Sequence, residues 1–340
     1  MALRLIEMVC PEERGAEVED LVRQYKPLGL WHDRLLGGQI IVKMLLLAQQ
    51  AEPVLDSLEG HFGGMEGFRV LVLPVQAAVP RPEPAEEEGD GEGLRPSEPP
   101  RISRQELRAE VSASAQLTRI FLAMIALSSL VAAVGMWRNN VAVIIGAMVI
   151  APLLGPNMAF AFATTLGDGP LGRRALKTNL VGIAAALAIS FCLGMVLHVS
   201  PDIPELLFRT QVSLPDVVLA LAAGCAGALA FTTGVHTPLV GVMVAVALLP
   251  PLVAAGLMLG GARWAMAVGA GLLFFTNLIC VNLAGVATFL ARGIRPRTWW
   301  ETGKAKRAAR NALMLWMLLL LALLVAIVLS QRHMPAAPAP

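Results

Sequence analysis

Charged and aromatic side chains are scarce in this chain of 340 residues, at 15% and 5% of the sequence. The four cysteines are widely separated and have neither metal-ligand nor redox spacing, which excludes a zinc motif and a disulfide framework. A net charge of +2 gives no bulk indication of nucleic-acid binding. We therefore expect no metal, no cofactor and no nucleic-acid partner.

Hydrophobic residues, in contrast, make up 56% of the chain, and the mean hydropathy is +0.65. Soluble domains are typically about half apolar or less. The excess lies after residue 110, where long apolar runs follow one another, whereas residues 1–110 have the composition of a soluble domain. The sequence thus predicts a small soluble part followed by a membrane part.

Residues 1–79 alternate between strand and helix patterns. The segments LRLIEMV and FRVLVLPV are typical of strands, and GLWHDRLLGGQIIVKMLLLA of two strands joined at Gly37-Gly38. The segments GAEVEDLVRQYK and EPVLDSLEGHFGG predict helices. The order β-α-β-β-α-β predicts a ferredoxin-like α+β domain. No signal peptide is visible before it, so we expect this domain to be cytoplasmic.

Two polar linkers interrupt the chain. Residues 80–100 are acidic and rich in proline and glycine, which indicates a solvated tether, or alternatively an acidic interaction tail. Residues 101–117 predict a juxtamembrane helix, and residues 291–310 a basic linker that lies on anionic lipid.

A membrane span needs about 20 apolar residues. We predict about seven spans, at 118–136, 141–163, 178–199, 216–235, 238–260, 264–290 and 311–330. Most lysine and arginine residues of the connecting segments fall on the side of the N-terminus, which predicts a cytoplasmic N-terminus and an external C-terminus. The lipid bilayer is then the first partner of the chain.

The second and fifth spans resemble each other. Shifting IIGAMVIAPLLGPNM forward by 95 residues aligns it with LVGVMVAVALLPPLV, so that Gly146 meets Gly241 and Pro156 meets Pro251. Spans one to three and four to six would then be two copies, at 118–199 and 216–290. Because three is odd, the second copy crosses in the opposite sense, which predicts an inverted 3+3 repeat, as in many transporters.

The prolines of both copies remove backbone donors near mid-depth, which predicts a kink or a break in each span. In lipid the freed groups must face protein or a water-filled cavity. A kink used only for packing is the alternative. We expect Asn157 to cap the helical segment after the first break, and Asn157, Asn277 and Asn282 to line a polar cavity, although such amides often serve helix packing alone. The candidate substrate-binding residues are Pro152, Gly155, Pro156, Asn157, Pro250, Pro251, Asn277 and Asn282.

Three stretches resemble a known family. NNVAVIIGAMVIAPLLGP, LGDGPLGRRALKTNL and TPLVGVMVAVALLPPLVAAG are similar to the bacterial uncharacterised hydrophobic domain family, domain of unknown function 389, over residues 115–290. The most specific motif is G-A-M-x-x-A-P, which begins at Gly146. The resemblance implies a multi-spanning inner-membrane protein of prokaryotes, and it implies no reaction, substrate or catalytic residue.

Three functions are compatible with the sequence. The paired proline motifs favour a transporter or channel for a small neutral or anionic solute, whose cytoplasmic domain is regulatory or forms a homo-oligomer. A membrane-embedded sensor or scaffold without transport is the alternative. An intramembrane enzyme is the weakest, because the spans contain no nucleophile–base set, paired carboxylates or metal cluster, so we expect no enzymatic activity.

Overall fold

A computed structural model describes residues 3–65, 67–79, 102–197, 199–200, 202–234 and 238–294, together with 310, 314, 316–318, 321, 322 and 325. The chain divides into two compact units, Met1–Arg108 and Ala109–Pro340. The first is an α+β domain and the second is helical.

The first unit has the predicted element order. Its strands and helices are β1 (Leu3–Pro11), α1 (Gly15–Arg23), β2 (Gly29–Arg34), β3 (Gln39–Leu47), α2 (Ala48–Phe62) and β4 (Arg69–Val75). All strand pairs are antiparallel, and the sheet order is β2-β3-β1-β4. This is the topology of the split β-α-β arrangement.

The core of this unit lies between the sheet and the two helices. Ile6, Met8 and Cys10 alternate along β1 with less buried residues, so one sheet face packs beneath Val18 of α1 and Leu58 of α2. Burial raises the pKa of the Cys10 thiol.

Helix α2 begins four residues earlier than the sequence predicts. The Gln50 side chain accepts a hydrogen bond from the backbone N–H of Leu47 at 3.1 Å and donates to the carbonyl of Tyr25 at 3.2 Å. These bonds start the helix directly after β3, at Ala48.

The second unit is built from helices. They are α3 (Arg104–Ser114), which crosses the division between the units, α4 (Arg119–Trp137), α5 (Val141–Ile150), α6 (Leu154–Leu166), α7 (Gly169–Val196), α8 (Pro204–Leu207), α9 (Leu214–Thr233), α10 (Pro238–Gly260) and α11 (Trp264–Ala291).

Several of these helices could cross a membrane by length and composition. Among the described residues four do so alone, namely α4, α7, α9 and α11, and α5 with α6 makes a fifth as a bent pair. The apolar part of α10 that is described with its side chains, Val244–Gly260, is shorter than a span. Most of the predicted seventh span, 311–330, lies outside the described residues, although Trp316 packs edge-on against Phe160 of α6.

Helix α7 starts nine residues before the predicted third span. The Asp168 carboxylate caps it by accepting from the backbone N–H of Leu171 at 3.1 Å, and Pro170 lies in its first turn. Arg173, Arg174 and Lys177 therefore lie on the exposed side of a helix rather than in a loop.

Close contacts give the relative directions of four helices. Along α7 and α10, Ser190 meets Gly256 and Gly194 meets Leu257, so these helices run parallel. Along α6 and α11, Asn157 meets Asn282, Ala161 meets Gly285 and Phe162 meets Phe289, so these also run parallel. Since α6 turns back into α7 at Gly167-Asp168, the second pair runs opposite to the first.

Candidate functional site

The second predicted span is interrupted at Ala151–Leu153, where α5 and α6 meet at an angle of 52°. Ala151 has ψ 118°, as expected for a residue before proline. Pro152 has no N–H, so the carbonyl of Met148 loses its helical donor. The predicted break in this span is therefore confirmed.

The second proline of this motif lies inside α6 but does not interrupt the helix. Pro156 is the third residue of α6, and the first-turn N–H groups of a helix have no intrahelical partner in any case. Gly155 beside it lies against the segment before α4: a Cβ atom at this position would be 2.8 Å from Cβ of Ser114 and 3.1 Å from its carbonyl oxygen.

The fifth span was predicted to have a matching kink or break, and the structure shows no break there. Helix α10 is continuous through Pro250 and Pro251. Pro251 deprives the carbonyl of Ala247 of its helical donor, but Nδ2 of Asn277 on α11 donates to that oxygen at 2.7 Å. A neighbouring helix thus supplies the missing hydrogen bond, as membrane helices with internal prolines require.

Three buried asparagines meet next to the break, and we call Asn157, Asn179 and Asn282 the asparagine cluster. Oδ1 of Asn157 lies 3.1 Å from Nδ2 of Asn282 and 3.4 Å from Nδ2 of Asn179, so it accepts from both. The cluster therefore joins α6, α7 and α11 through one amide oxygen.

Asn157 itself does not cap α6 as predicted. The N-cap residue is Leu153, and Asn157 donates from Nδ2 to the Leu153 carbonyl at 2.7 Å. Because Asn157 lies four residues after Leu153, its side chain reaches back over the first turn. The amide oxygen is thereby turned towards α7 and α11.

The structure separates two residues that the sequence grouped and adds one that it left out. Asn277 bonds to α10, whereas Asn282 bonds to the cluster. The predicted third span, 178–199, would put Asn179 at a helix end, but because α7 begins at Gly169 it lies about 15 Å into that helix at 1.5 Å per residue. The recurrence of Thr-Asn-Leu at 178–180 and 276–278 was the available signal for Asn179.

The cluster contains an unsatisfied acceptor. Among the described residues, Oδ1 of Asn282 and Oδ1 of Asn277 are buried without a hydrogen-bond partner, and the two side chains belong to residues that are 1% and 4% exposed. A buried unpaired amide oxygen is costly, and in native proteins it often marks a place for water or a ligand.

The chemistry of the site is that of neutral amides and backbone groups. In the described part of the chain no group of three or more His, Cys, Asp or Glu side chains could hold a metal ion. The N-terminus of α6 adds the positive end of a helix dipole next to the break. The arrangement can donate to and accept from a small polar solute.

The fold and these helices define a class, a helical membrane protein with a small antiparallel α+β domain at its N-terminus. Domain of unknown function (DUF389) matches residues 148–283. An uncharacterised protein of Methanocaldococcus jannaschii is 33% identical over 329 residues, which cover 96% of this chain and 99% of the relative. The chain belongs to this family, and the relative comes from an archaeon. No solved structure matches.

Proposed function

We propose that this protein is an integral membrane transporter or channel for a small neutral or anionic solute, and that the interrupted helix α5–α6 lines the path. The observation that carries the proposal is the break at Ala151–Leu153 beside the asparagine cluster, which holds a buried acceptor without a partner. A helix that serves only as an anchor has no use for either feature.

The chemistry of the break selects the solute class. The first turn of α6 presents N–H groups and the positive end of a dipole, which favour an anionic or hydrogen-bond-accepting group. Asn282 Oδ1 accepts from a donor on the solute. The described residues of α5 and α6 include no carboxylate, the side chain that usually neutralises a bound divalent cation.

An inverted repeat is part of the proposal, and reciprocal contacts support it. Adding 95 to Ser190 and subtracting 95 from Gly256 converts their contact into that of Gly285 with Ala161, which is also present. The same exchange converts the contact of Gly194 with Leu257 into that of Phe289 with Phe162, whose rings lie 5.7 Å apart. Contacts that exchange in this way are expected of two copies related by a two-fold axis.

The helix directions support the inverted sense of the repeat. The exchange maps the parallel pair α7 and α10 onto the parallel pair α11 and α6, and these pairs run in opposite directions. A two-fold axis in the membrane plane produces this reversal, whereas an axis along the membrane normal would keep the direction.

The two halves differ where the solute path is proposed. Pro152, which removes an N–H at the break, corresponds in the second copy to Ala247, which keeps its N–H. The residue that corresponds to Asn277 in the first copy is Gly182, which has no side chain to satisfy a freed carbonyl. We infer that these two differences leave α10 continuous and let α5–α6 break. Alternating access requires two copies in different conformations, and this asymmetry supplies them.

The remaining topology is proposed on the same basis. We propose seven spans, with α10 and residues 311–330 counted among them, a cytoplasmic N-terminus and an external C-terminus. The asparagine cluster is about 14 Å, at 1.5 Å per residue, from the helix ends at Leu166, Gly169 and Ala291. Arg173, Arg174 and Lys177 lie at that end, which supports a cytoplasmic location for it.

A sensor or scaffold without transport is the second candidate. The observation that favours it is the tight packing of the proposed path, where Asn157 and Asn282 are each 1% exposed. Under this function the break would be a permanent structural feature, and the cluster a hydrogen-bonded joint between three helices.

Thiol labelling in native membranes distinguishes the two functions. Asn157→Cys and Asn282→Cys, made in a background without native cysteines, should react with a small water-soluble thiol reagent if the path opens. The matched control is Ala159→Cys, which is 0% exposed on the same helix as Asn157 and makes none of the cluster's hydrogen bonds. We expect the first two to be labelled at least about tenfold faster than the control. A tenfold difference in rate corresponds to a difference of only ~1.4 kcal/mol in the free energy of opening. Rates equal to the control at both positions would favour the scaffold.

A further inference from the structure

Among the described residues of the first unit, no helix or strand covers one face of the N-terminal sheet. Ile6, Met8 and Cys10 of β1 are buried beneath the helices, so the alternate residues Leu5 and Val9 lie on the opposite face. Residues paired across strands share a face, and in the order β4-β1-β3-β2 the open face includes three four-residue rows. These rows are Leu73–Leu5–Leu45–Gly29, Leu71–Glu7–Lys43–Trp31 and Arg69–Val9–Ile41–Asp33.

This open face is apolar to an unusual degree for a soluble domain. Trp31, Leu71 and Leu73 are 52%, 44% and 43% exposed, and they flank partly buried aliphatic residues of the two central strands. Large contiguous apolar surfaces on soluble domains mark interaction sites. The remaining side chains of the three rows are two acids and two bases, so the face has no net charge.

We propose that the open face binds the same face of a second copy of this chain, about a two-fold axis that lies parallel to the strands between β1 and β3. Such an axis lays β1 of one copy over β3 of the other, and β4 over β2. Each row then meets its own reversed copy, as an isologous interface requires.

The charges of the face are self-complementary under this axis. In the second row, Glu7 of one copy faces Lys43 of the other, because these residues are direct partners across β1 and β3. In the third row, Arg69 faces Asp33. The axis produces each pair twice, so no acid faces an acid and no base faces a base.

The apolar residues match under the same operation. Leu5 lies over Leu45 and Val9 over Ile41, and at the edges Leu71 lies over Trp31. Leu73 lies over Gly29, where the missing side chain leaves room for the leucine. Sheets that pack face to face align within about 30° and lie about 10 Å apart, a spacing that these side chains fill.

Two of the charged groups of the face already pair with each other within one copy. Nζ of Lys43 bonds to the Asp33 carboxylate, and this contact holds the pKa of Asp33 below its usual value and that of Lys43 above it. Both groups therefore stay charged at neutral pH. A protein surface that binds anionic lipid usually has more basic than acidic residues. The open face has equal numbers of both, so it does not fit a lipid surface.

Charge reversal and cross-linking test the proposal in the full-length protein. Two differently tagged copies, one with Leu71→Cys and one with Trp31→Cys in a cysteine-free background, are oxidised in native membranes. We expect a disulfide between the tags. Glu7→Lys in both copies should lower its yield at least about tenfold, and Lys43→Glu in both copies should do the same, since like charges then face each other twice.

The decisive sample combines Glu7→Lys in one copy with Lys43→Glu in the other. Every facing pair is then opposite in charge again, so the yield should return to that of the unmodified charges, which also rules out misfolding of the variants. Leu36→Cys, which is fully exposed at the turn outside the face, should not cross-link. No cross-link with the native charges, or the same yield for all charge combinations, would overturn the proposal, and the transport function would be unaffected.

Discussion

Gly194→Ala is expected to lower the unfolding free energy of the membrane unit by about 2–3 kcal/mol, the cost of overpacking a tight contact. A Cβ atom at Gly194 would lie 2.4 Å from the carbonyl oxygen of Leu257 and 2.9 Å from its Cα. Both are backbone atoms, so α7 and α10 must separate to admit the methyl group. The melting temperature in mild detergent should fall by about 4–12 °C.

The matched control for this prediction is Gly271→Ala on α11. A Cβ atom there would meet nothing within 4 Å. Alanine is a better helix former than glycine by about 1 kcal/mol, so this variant should melt at the same temperature or slightly higher. Equal losses at the two positions would show that α7 and α10 do not approach as closely as described.

Asn157→Ala is expected to have the second largest effect, about 2 kcal/mol of unfolding free energy. Its Oδ1 atom accepts from both Asn179 and Asn282, so the substitution leaves two buried amides short of an acceptor. Interhelical hydrogen bonds in membranes are individually modest, and the loss comes from removing the shared partner. Equilibrium unfolding in mixed detergent micelles measures it.

The comparison variant is Asn179→Ala, which removes another asparagine side chain from the same cluster. Its bond to Asn157 is 3.4 Å long and leaves the bond between Asn157 and Asn282 intact. We expect a loss of about 0.6 kcal/mol, the average for such bonds. If Asn179→Ala costs as much as Asn157→Ala, Asn157 is not the shared acceptor of the cluster.

The small domain was largely predictable because its signals are local. Alternating apolar residues in β1 and β3 and the Gly37-Gly38 turn predict the strands, and the order of elements leaves few topologies. The start of α2 was missed because it depends on Gln50, whose side chain bonds to Tyr25, 25 residues earlier in the chain. A bond of this kind has no periodicity in the sequence.

The membrane part was predictable in its spans and less so in its breaks. Hydropathy locates apolar segments, but it does not show whether a neighbour satisfies a carbonyl freed by proline. Pro152 breaks its helix, whereas Pro251 does not, because Asn277 reaches Ala247 from another helix. The start of α7 was missed because its first turns are polar, and there the Asp168 cap rather than apolar residues begins the helix.

The candidate site was predictable only in part, because hydropathy does not show which helices contact each other. Asn157 and Asn282 were chosen because amides are rare in apolar spans, and the structure brings them together. Asn277 was chosen on the same ground but lies against α10. Which helices meet depends on close approaches such as that of Gly285 to Ala161, and these become visible only once the chain is folded.

The central claim is that the break at Ala151–Leu153 opens on a polar path rather than on packed protein. An experimental density map of the full chain in lipid nanodiscs tests it most directly. The account predicts ordered density for water or a bound solute about 2.6–3.2 Å from Oδ1 of Asn282, in a cavity that reaches the break. Side chains packed against that oxygen, with no cavity beside the break, would contradict it.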